Sequence, residues 1–296
     1  MTDWKPDICI YHGDCLDGFG AAWAIWKRWR DCDFRPGHYG KGLPLDPFEV
    51  AGKNILFVDF SAPAAMLEAI GATAASVVVL DHHKTAKAEL EPYIFDVAIG
   101  AFETALIGRR NAGLSPIVAF FREHESGAVM AWEFARGTNA WYIPEMLVLI
   151  QDRDLWRFRF EDETRQVAAA LQSHPMDFEV WDQLSQDVKG LSREGAALLR
   201  ANRANVAKIL KEAYFDEIDG HSVPVANVPY HYASDAGNEL LKLHPDAPFA
   251  GTWLRRADGF VQWSLRSEMH RLDVSEIAKK FGGGGHRNAA GFQVKA

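Results

Sequence analysis

Three stretches of this chain set acids and imidazoles directly after a short apolar run. Ile8-Cys9-Ile10-Tyr11 leads into His12, with Asp14 and Asp17 close behind. Asn54 to Val58 leads into Asp59, and the Val77–Leu80 run leads into Asp81-His82-His83. Aspartate and histidine hold divalent metals and move protons. Together with Asp152 they form a set of five carboxylates and three imidazoles. A structural zinc site would want cysteines or a compact group of four ligands. A carboxylate-rich set suits Mn²⁺ or Mg²⁺, with imidazole tilting it toward Mn²⁺. Eight donors are too many for one ion, whereas two ions about 3.5–4 Å apart, bridged by a carboxylate, would use them. Such a pair binds a phosphate oxygen, activates water and stabilises the attacking and leaving oxygens, which points to phosphoester or phosphoanhydride hydrolysis. Taken singly, each piece reads more plainly. Asp-His-His alone is a solvated turn, and Asp152 and Asp154 alone are exposed polar residues at a helix end. Recurrence at three strand ends is what favours a site.

The elements that must position these groups follow from the apolar pattern. Unbroken runs such as Val77–Leu80 read as parallel strands buried on both faces, which present ligand-binding groups at their C-terminal ends. Strand, helix, strand, helix, strand over the first part predicts an α/β domain with a parallel sheet. Helices are expected from about Phe19 to Trp29, with its tryptophans in the core, from Ser126 to Ala135, and from Pro144 to Ile150. The apolar positions Val188, Leu191, Leu198, Leu199, Val206, Ile209 and Leu210 predict a long amphipathic helix. The domain expectation is therefore 1–185, a connector helix over 186–214, and a smaller α/β domain over 215–296. In the last of these, Asp219-Gly220 reads as a hairpin turn. A helix over about 235–243, strands around 249–254 and 260–266, and a helix over 274–281 follow. Gly282-Gly283-Gly284-Gly285-His286 comes next, ahead of a strand-like tail. Successive amides unshielded by side chains form an anion-binding nest, and His286 adds a directional donor.

Composition narrows the function classes. The chain has 296 residues, 48% hydrophobic and 24% charged, which is ordinary for a globular protein large enough for two domains. A formal net charge of −8 argues against a sheath for long duplex nucleic acid, while leaving room for a small anionic substrate. Cys9, Cys15 and Cys32 cannot all pair, and with no CxxC they read as reduced thiols. The N-terminus lacks the layout of a signal peptide and no apolar run approaches a membrane span, so the expectation is a cytoplasmic protein with no membrane partner.

The motifs together resemble the DHH phosphoesterase superfamily over nearly the whole chain. Tyr11-His12-Gly13-Asp14-Cys15-Leu16-Asp17-Gly18 is similar to its first motif, Val58-Asp59 to its second, Asp81-His82-His83 to its namesake, and Asp152 to its fourth aspartate. Ser264-Leu265-Arg266-Ser267 and the 281–291 stretch resemble the DHH-associated substrate domain. The resemblance implies a two-domain enzyme with two Mn²⁺ ions, for which Mg²⁺ or Co²⁺ could substitute. By it, His12 and Asp59 hold one ion, and Asp17, Asp59, His82 and Asp152 the other, with Asp59 bridging. Asp81 orients its neighbours, His83 faces the scissile phosphate, and Arg266 with Gly283, Gly284, Gly285 and His286 grips the distal substrate. One departure stands out. Many members space the first motif as His-x-x-x-Asp-x-Asp, whereas here the acids stand two and five residues after His12, leaving the separate roles of Asp14 and Asp17 open. The expected substrate is a short single-stranded oligonucleotide or a small nucleotide. A pyrophosphatase or polyphosphatase, or a silent nucleotide sensor, is the alternative.

Overall fold

The structure, a computed structural model, describes residues 4–46, 48–137 and 142–295. The chain divides into two compact units, Met1–Leu198 and Leu199–Ala296.

The first unit is built on a five-stranded sheet in the order β2-β1-β3-β4-β5. Its strands are β1 (Ile8–His12), β2 (Asp33–Gly37), β3 (Asn54–Val58), β4 (Ser76–Asp81) and β5 (Ile117–Phe121). Every pairing is parallel. Burial explains why these runs are apolar throughout. Cys9, Leu56, Val58, Val78, Leu80, Val118 and Phe120 join one core. The alternate residues Ile8, Ile10, Ile55, Phe57, Val77, Val79, Ile117 and Ala119 join a second. A sheet covered on both faces has no position where a polar side chain would meet water.

Helices α1 (Leu16–Trp26), α2 (Ala64–Gly71), α3 (Lys87–Leu90), α4 (Phe102–Asn111), α5 (Gly127–Arg136), α6 (Glu145–Asp154), α7 (Glu161–Leu171) and α8 (Phe178–Leu184) surround the sheet. Trp23, Ile25 and Trp26 of α1 are buried and Trp29 packs against the same core, so the tryptophans of this stretch are packing residues. Two sheet strands lie outside the three that the motifs mark. β2 carries Pro36 and Gly37, which an edge strand tolerates. β5 is as apolar as β4 but ends on Phe121. A third difference bears on the site: α6 does not stop at Ile150 but continues through Asp154.

Helix α9 (Val188–Ile209) crosses the boundary between the units. Val188 and Leu191 are buried in the first unit's core, while Val206 belongs to a core of the second. The second unit is a mixed six-stranded sheet in the order β10-β11-β9-β8-β7-β6. Its strands are β6 (Tyr214–Ile218), β7 (His221–Asn227), β8 (Ala250–Arg255), β9 (Phe260–Arg266), β10 (Gly284–His286) and β11 (Ala289–Lys295), with helices α10 (Ala233–Leu243) and α11 (Val274–Lys280). Asp219 and Gly220, at φ 53° and 76°, make the β6–β7 hairpin turn that their pairing predicts. No helix among the described residues is long and apolar enough to cross a membrane.

Candidate metal centre

Register carries the first three groups to one edge. Tyr11 pairs with Val58 and Val58 with Leu80, so the residues that follow, His12, Asp59 and Asp81, stand in one row at the strands' C-terminal ends. Asp59 takes φ 53°, which turns its carboxylate inward off the end of β3. It is 1% exposed and belongs to three groups of metal-type donors: with His12 and Cys15, with Asp17 and His82, and with Asp81 and His83. In each group the donor atoms lie within 4.8 Å of one another.

His82 is the meeting point of the acids. Its Nε2 lies 3.0 Å from Asp59 Oδ1, 3.6 Å from Asp154 Oδ2 and 3.7 Å from Asp17 Oδ2. His12 Nδ1 approaches the other oxygen of Asp59 at 3.4 Å. Asp81 closes its own turn instead. Its Oδ1 accepts from the amides of His82 (2.7 Å) and His83 (3.1 Å), and it lies 2.7 Å from His83 Nδ1. Asp17 is held at the start of α5, accepting from Gly127 N–H at 2.6 Å and Ala128 N–H at 3.1 Å, where the helix dipole favours an anion. Two glycines permit these approaches. A Cβ on Gly127 would stand 2.4 Å from Asp59 Cβ, and one on Gly18 would stand 2.1 Å from His12 O.

Two expected residues lie elsewhere. Asp152 is buried, but its carboxylate accepts from Arg159 N–H (3.0 Å), Phe160 N–H (3.4 Å) and Thr164 Oγ1 (2.5 Å), tying the end of α6 to the start of α7. Asp154 takes the place at His82 that the motif resemblance assigns to Asp152. Residues two apart on a helix project about 200° apart, so only one of them can face the site. Asp14, at φ 57°, points outward with its side chain 84% exposed and 3.7 Å from His38 Nδ1. Cys15 turns inward beside His12 and Asp59. Counting helix faces back from Asp154 could have raised the first substitution; the turn that expels Asp14 carries no comparable pattern.

The charges are out of balance. Burial pushes the carboxyls of Asp17 and Asp154 up, and the neighbouring charge of Asp59 adds to both shifts. Burial would do the same to Asp59, but the His12 and His82 imidazoles against its two oxygens hold it well below the usual range. Burial opposes a charge on His82, yet Asp59, Asp154 and Asp17 raise its pKa to about 10. Oxygens of Asp17 and Asp59 within 4.8 Å of each other repel, as full charges, by roughly 3–4 kcal/mol at an effective dielectric near 20. That exceeds what one ordinary hydrogen bond returns, about 1 kcal/mol.

Over 310 residues the chain is 30% identical to uncharacterized protein R106 of Acanthamoeba polyphaga mimivirus, covering 97% of this chain and 67% of the viral protein. The chain belongs to one family with that protein. No protein-family model matches it. Among solved structures, RecJ from Thermus thermophilus in complex with Mn²⁺ is 14% identical with a TM-score of 0.51. The likeness covers 97% of this chain and 49% of RecJ, so the chain spans about half of that protein. The shared architecture is a DHH-like fold.

The clustered carboxylates and imidazoles present fit a divalent metal. Asp154 Oδ2 is buried without a hydrogen-bond partner, and His12 Nδ1 likewise. A cation among Asp17, Asp59, Asp154, His82 and His12 would answer both the orphaned atoms and the surplus negative charge. In the second unit the expected anion-binding stretch is a hairpin and not an open nest of amides. Gly283 N–H donates to Ala278 O, and Gly284–His286 pairs with β11. His286 pairs with Ala289, which pairs in turn with Arg266, so the three side chains stand in one row across β10, β11 and β9. Arg266 Nη1 donates to Leu265 O at 2.8 Å and Nη2 to Ser234 Oγ at 2.5 Å, which fixes the guanidinium.

Proposed function

We propose that this family member hydrolyses phosphoester bonds of small nucleotides or short oligonucleotides, with two divalent ions, Mn²⁺ foremost. The observation that carries the reading is Asp59, one buried carboxylate shared by three separate donor groups. It would bridge the ions, with His12 toward one and Asp17, His82 and Asp154 toward the other. When bound, such a pair supplies charge to phosphate oxygens and lowers the pKa of water.

The chain's own residues have distinct tasks in this reading. The Gly127 and Ala128 amides orient Asp17. Asp81 pins the His82–His83 backbone and fixes His83 through Nδ1, so the ring's Nε2 would hold or pass the proton at the scissile phosphate. Tyr39, 5.3 Å from His12 between ring centroids, would wall one side against water. In the second unit, Arg266 and His286, in one row across β10, β11 and β9, would bind an anionic part of the substrate. Tyr230, 57% exposed, is an aromatic surface on which a base could stack. A reducing, cytoplasmic setting is part of the proposal, and three free cysteines support it.

The test is purified protein, stripped of metal and resupplied with Mn²⁺, Mg²⁺ or Co²⁺. It is offered a dinucleotide, a nucleoside 3′,5′-bisphosphate, a cyclic dinucleotide, pyrophosphate and polyphosphate, with products identified. The expected result is hydrolysis of a nucleotide phosphoester that Asp59→Asn abolishes. Turnover of pyrophosphate or polyphosphate alone would overturn the nucleotide assignment, and binding without turnover of any would make the protein a sensor.

A further inference from the structure

We infer that Cys15 is a metal ligand, so that one of the two ions is held by sulfur, imidazole and carboxylate. The inference rests on the two-ion reading above and adds that the two positions differ in chemistry. Cys15, His12 and Asp59 each bring one donor atom within 4.8 Å of the other two. The backbone delivers Cys15 to this place. Asp14 at φ 57° swings its own carboxylate into solvent beside His38, and the next residue turns in.

Cys15 stands at the N-cap of α1 with extended dihedrals (φ −125°, ψ 136°), where a side chain commonly caps the first turn, yet its own makes no cap hydrogen bond. A second observation points to a ligand independently. The Nδ1 atom of His12, in the same group, is buried and lacks a hydrogen-bond partner. The remaining cysteines, Cys9 and Cys32, are buried in the hydrophobic core.

The two positions therefore attract different ions. Asp17, Asp59, Asp154 and His82 form an oxygen-rich set suited to Mn²⁺ or Mg²⁺. A set with a thiolate is softer and favours Co²⁺, Zn²⁺ or Fe²⁺ over Mg²⁺. On binding, the thiol yields its proton to solvent and the sulfur lone pair goes to the ion, with no change of oxidation state.

Co²⁺ is the probe, because a thiolate bound to it gives a charge-transfer band in the near ultraviolet. Metal-free protein, titrated to two equivalents, should develop that band, and Cys15→Ser and Cys15→Asp should lack it. Cys15→Asp restores a hard donor; it should still take up two ions, and its preference for Co²⁺ over Mg²⁺ should fall at least tenfold. Cys9 and Cys32 remain in every variant, so a band persisting in Cys15→Asp would come from them and overturn the inference. Two Co²⁺ bound to the wild-type protein without the band would overturn the cysteine ligand and leave the two-ion reading standing. No Co²⁺ uptake at all would overturn both.

Discussion

Exchanging one aspartate for asparagine at Asp152 and at Asp154 should give opposite phenotypes, although the two stand two residues apart on one helix. Asp154 brings a buried oxygen without a hydrogen-bond partner to within 3.6 Å of His82 Nε2, among the other acids. Asp154→Asn removes a charge that Asp59 and Asp17 repel, so metal-free protein should melt at the wild-type temperature or above it. Its loss should come with metal. A wild-type site at a free metal concentration of 100 Kd is stabilised by about 2.7 kcal/mol, and the variant should forfeit most of that for one ion. Asp152 instead accepts three hydrogen bonds that join α6 to α7. Asparagine offers one neutral oxygen in place of the carboxylate, at a cost of roughly 1.5–3 kcal/mol for a charged acceptor. For a unit of this size, each 1 kcal/mol moves the melting temperature by about 2–4 °C, so a fall on the order of 5 °C is expected with metal stoichiometry intact. Melting curves in chelator and in excess Mn²⁺, beside metal analysis of both variants, make the assay. Loss of metal in Asp152→Asn with an unaffected Asp154→Asn would refute the placement of these side chains.

Gly127→Ala forces a methyl group to within 2.4 Å of Asp59 Cβ, so it should destabilise the fold by about 1–3 kcal/mol and weaken metal uptake, read by denaturant titration and calorimetry. Retention of both would mean that α5 can back away freely. Asp17→Ala should cost more activity than Asp14→Ala by at least about one power of ten in kcat/KM, because Asp17 is 1% exposed beside His82 and Asp14 points into solvent. The reverse ranking in steady-state kinetics would make Asp14 the functional acid. Gly18→Ala should damage the site without touching a donor, since its Cβ would stand 2.1 Å from His12 O; unchanged Mn²⁺ affinity would count against that packing.

The α/β class and the row of donors at the strand ends were legible because each rests on a local pattern. An unbroken apolar run specifies a strand buried on both faces wherever it lies, and the residue that follows it must emerge at the edge. The β6–β7 turn, helix α11 and the β11 tail were legible for the same reason: hairpin turns and helix caps are decided by a few adjacent residues. β2 was not, because Pro36 and Gly37 resemble a turn until the sheet gives them an edge to occupy.

By itself the sequence determined that aspartates and histidines would gather at one sheet edge, since strand direction and periodicity follow from neighbouring residues. Which members of each cluster face inward was decided only by tertiary structure. Asp152 and Asp154 lie on the same helix, but their directions depend on how α6 rotates about its axis when it packs on α1 and α5, and that is a property of the whole core. Asp14 and Cys15 are adjacent, and a single left-handed residue sends one to water and the other to Asp59. A positive φ at a non-glycine residue costs free energy locally and persists only when the surrounding packing over-determines it, so no reading of that stretch alone could have chosen between them.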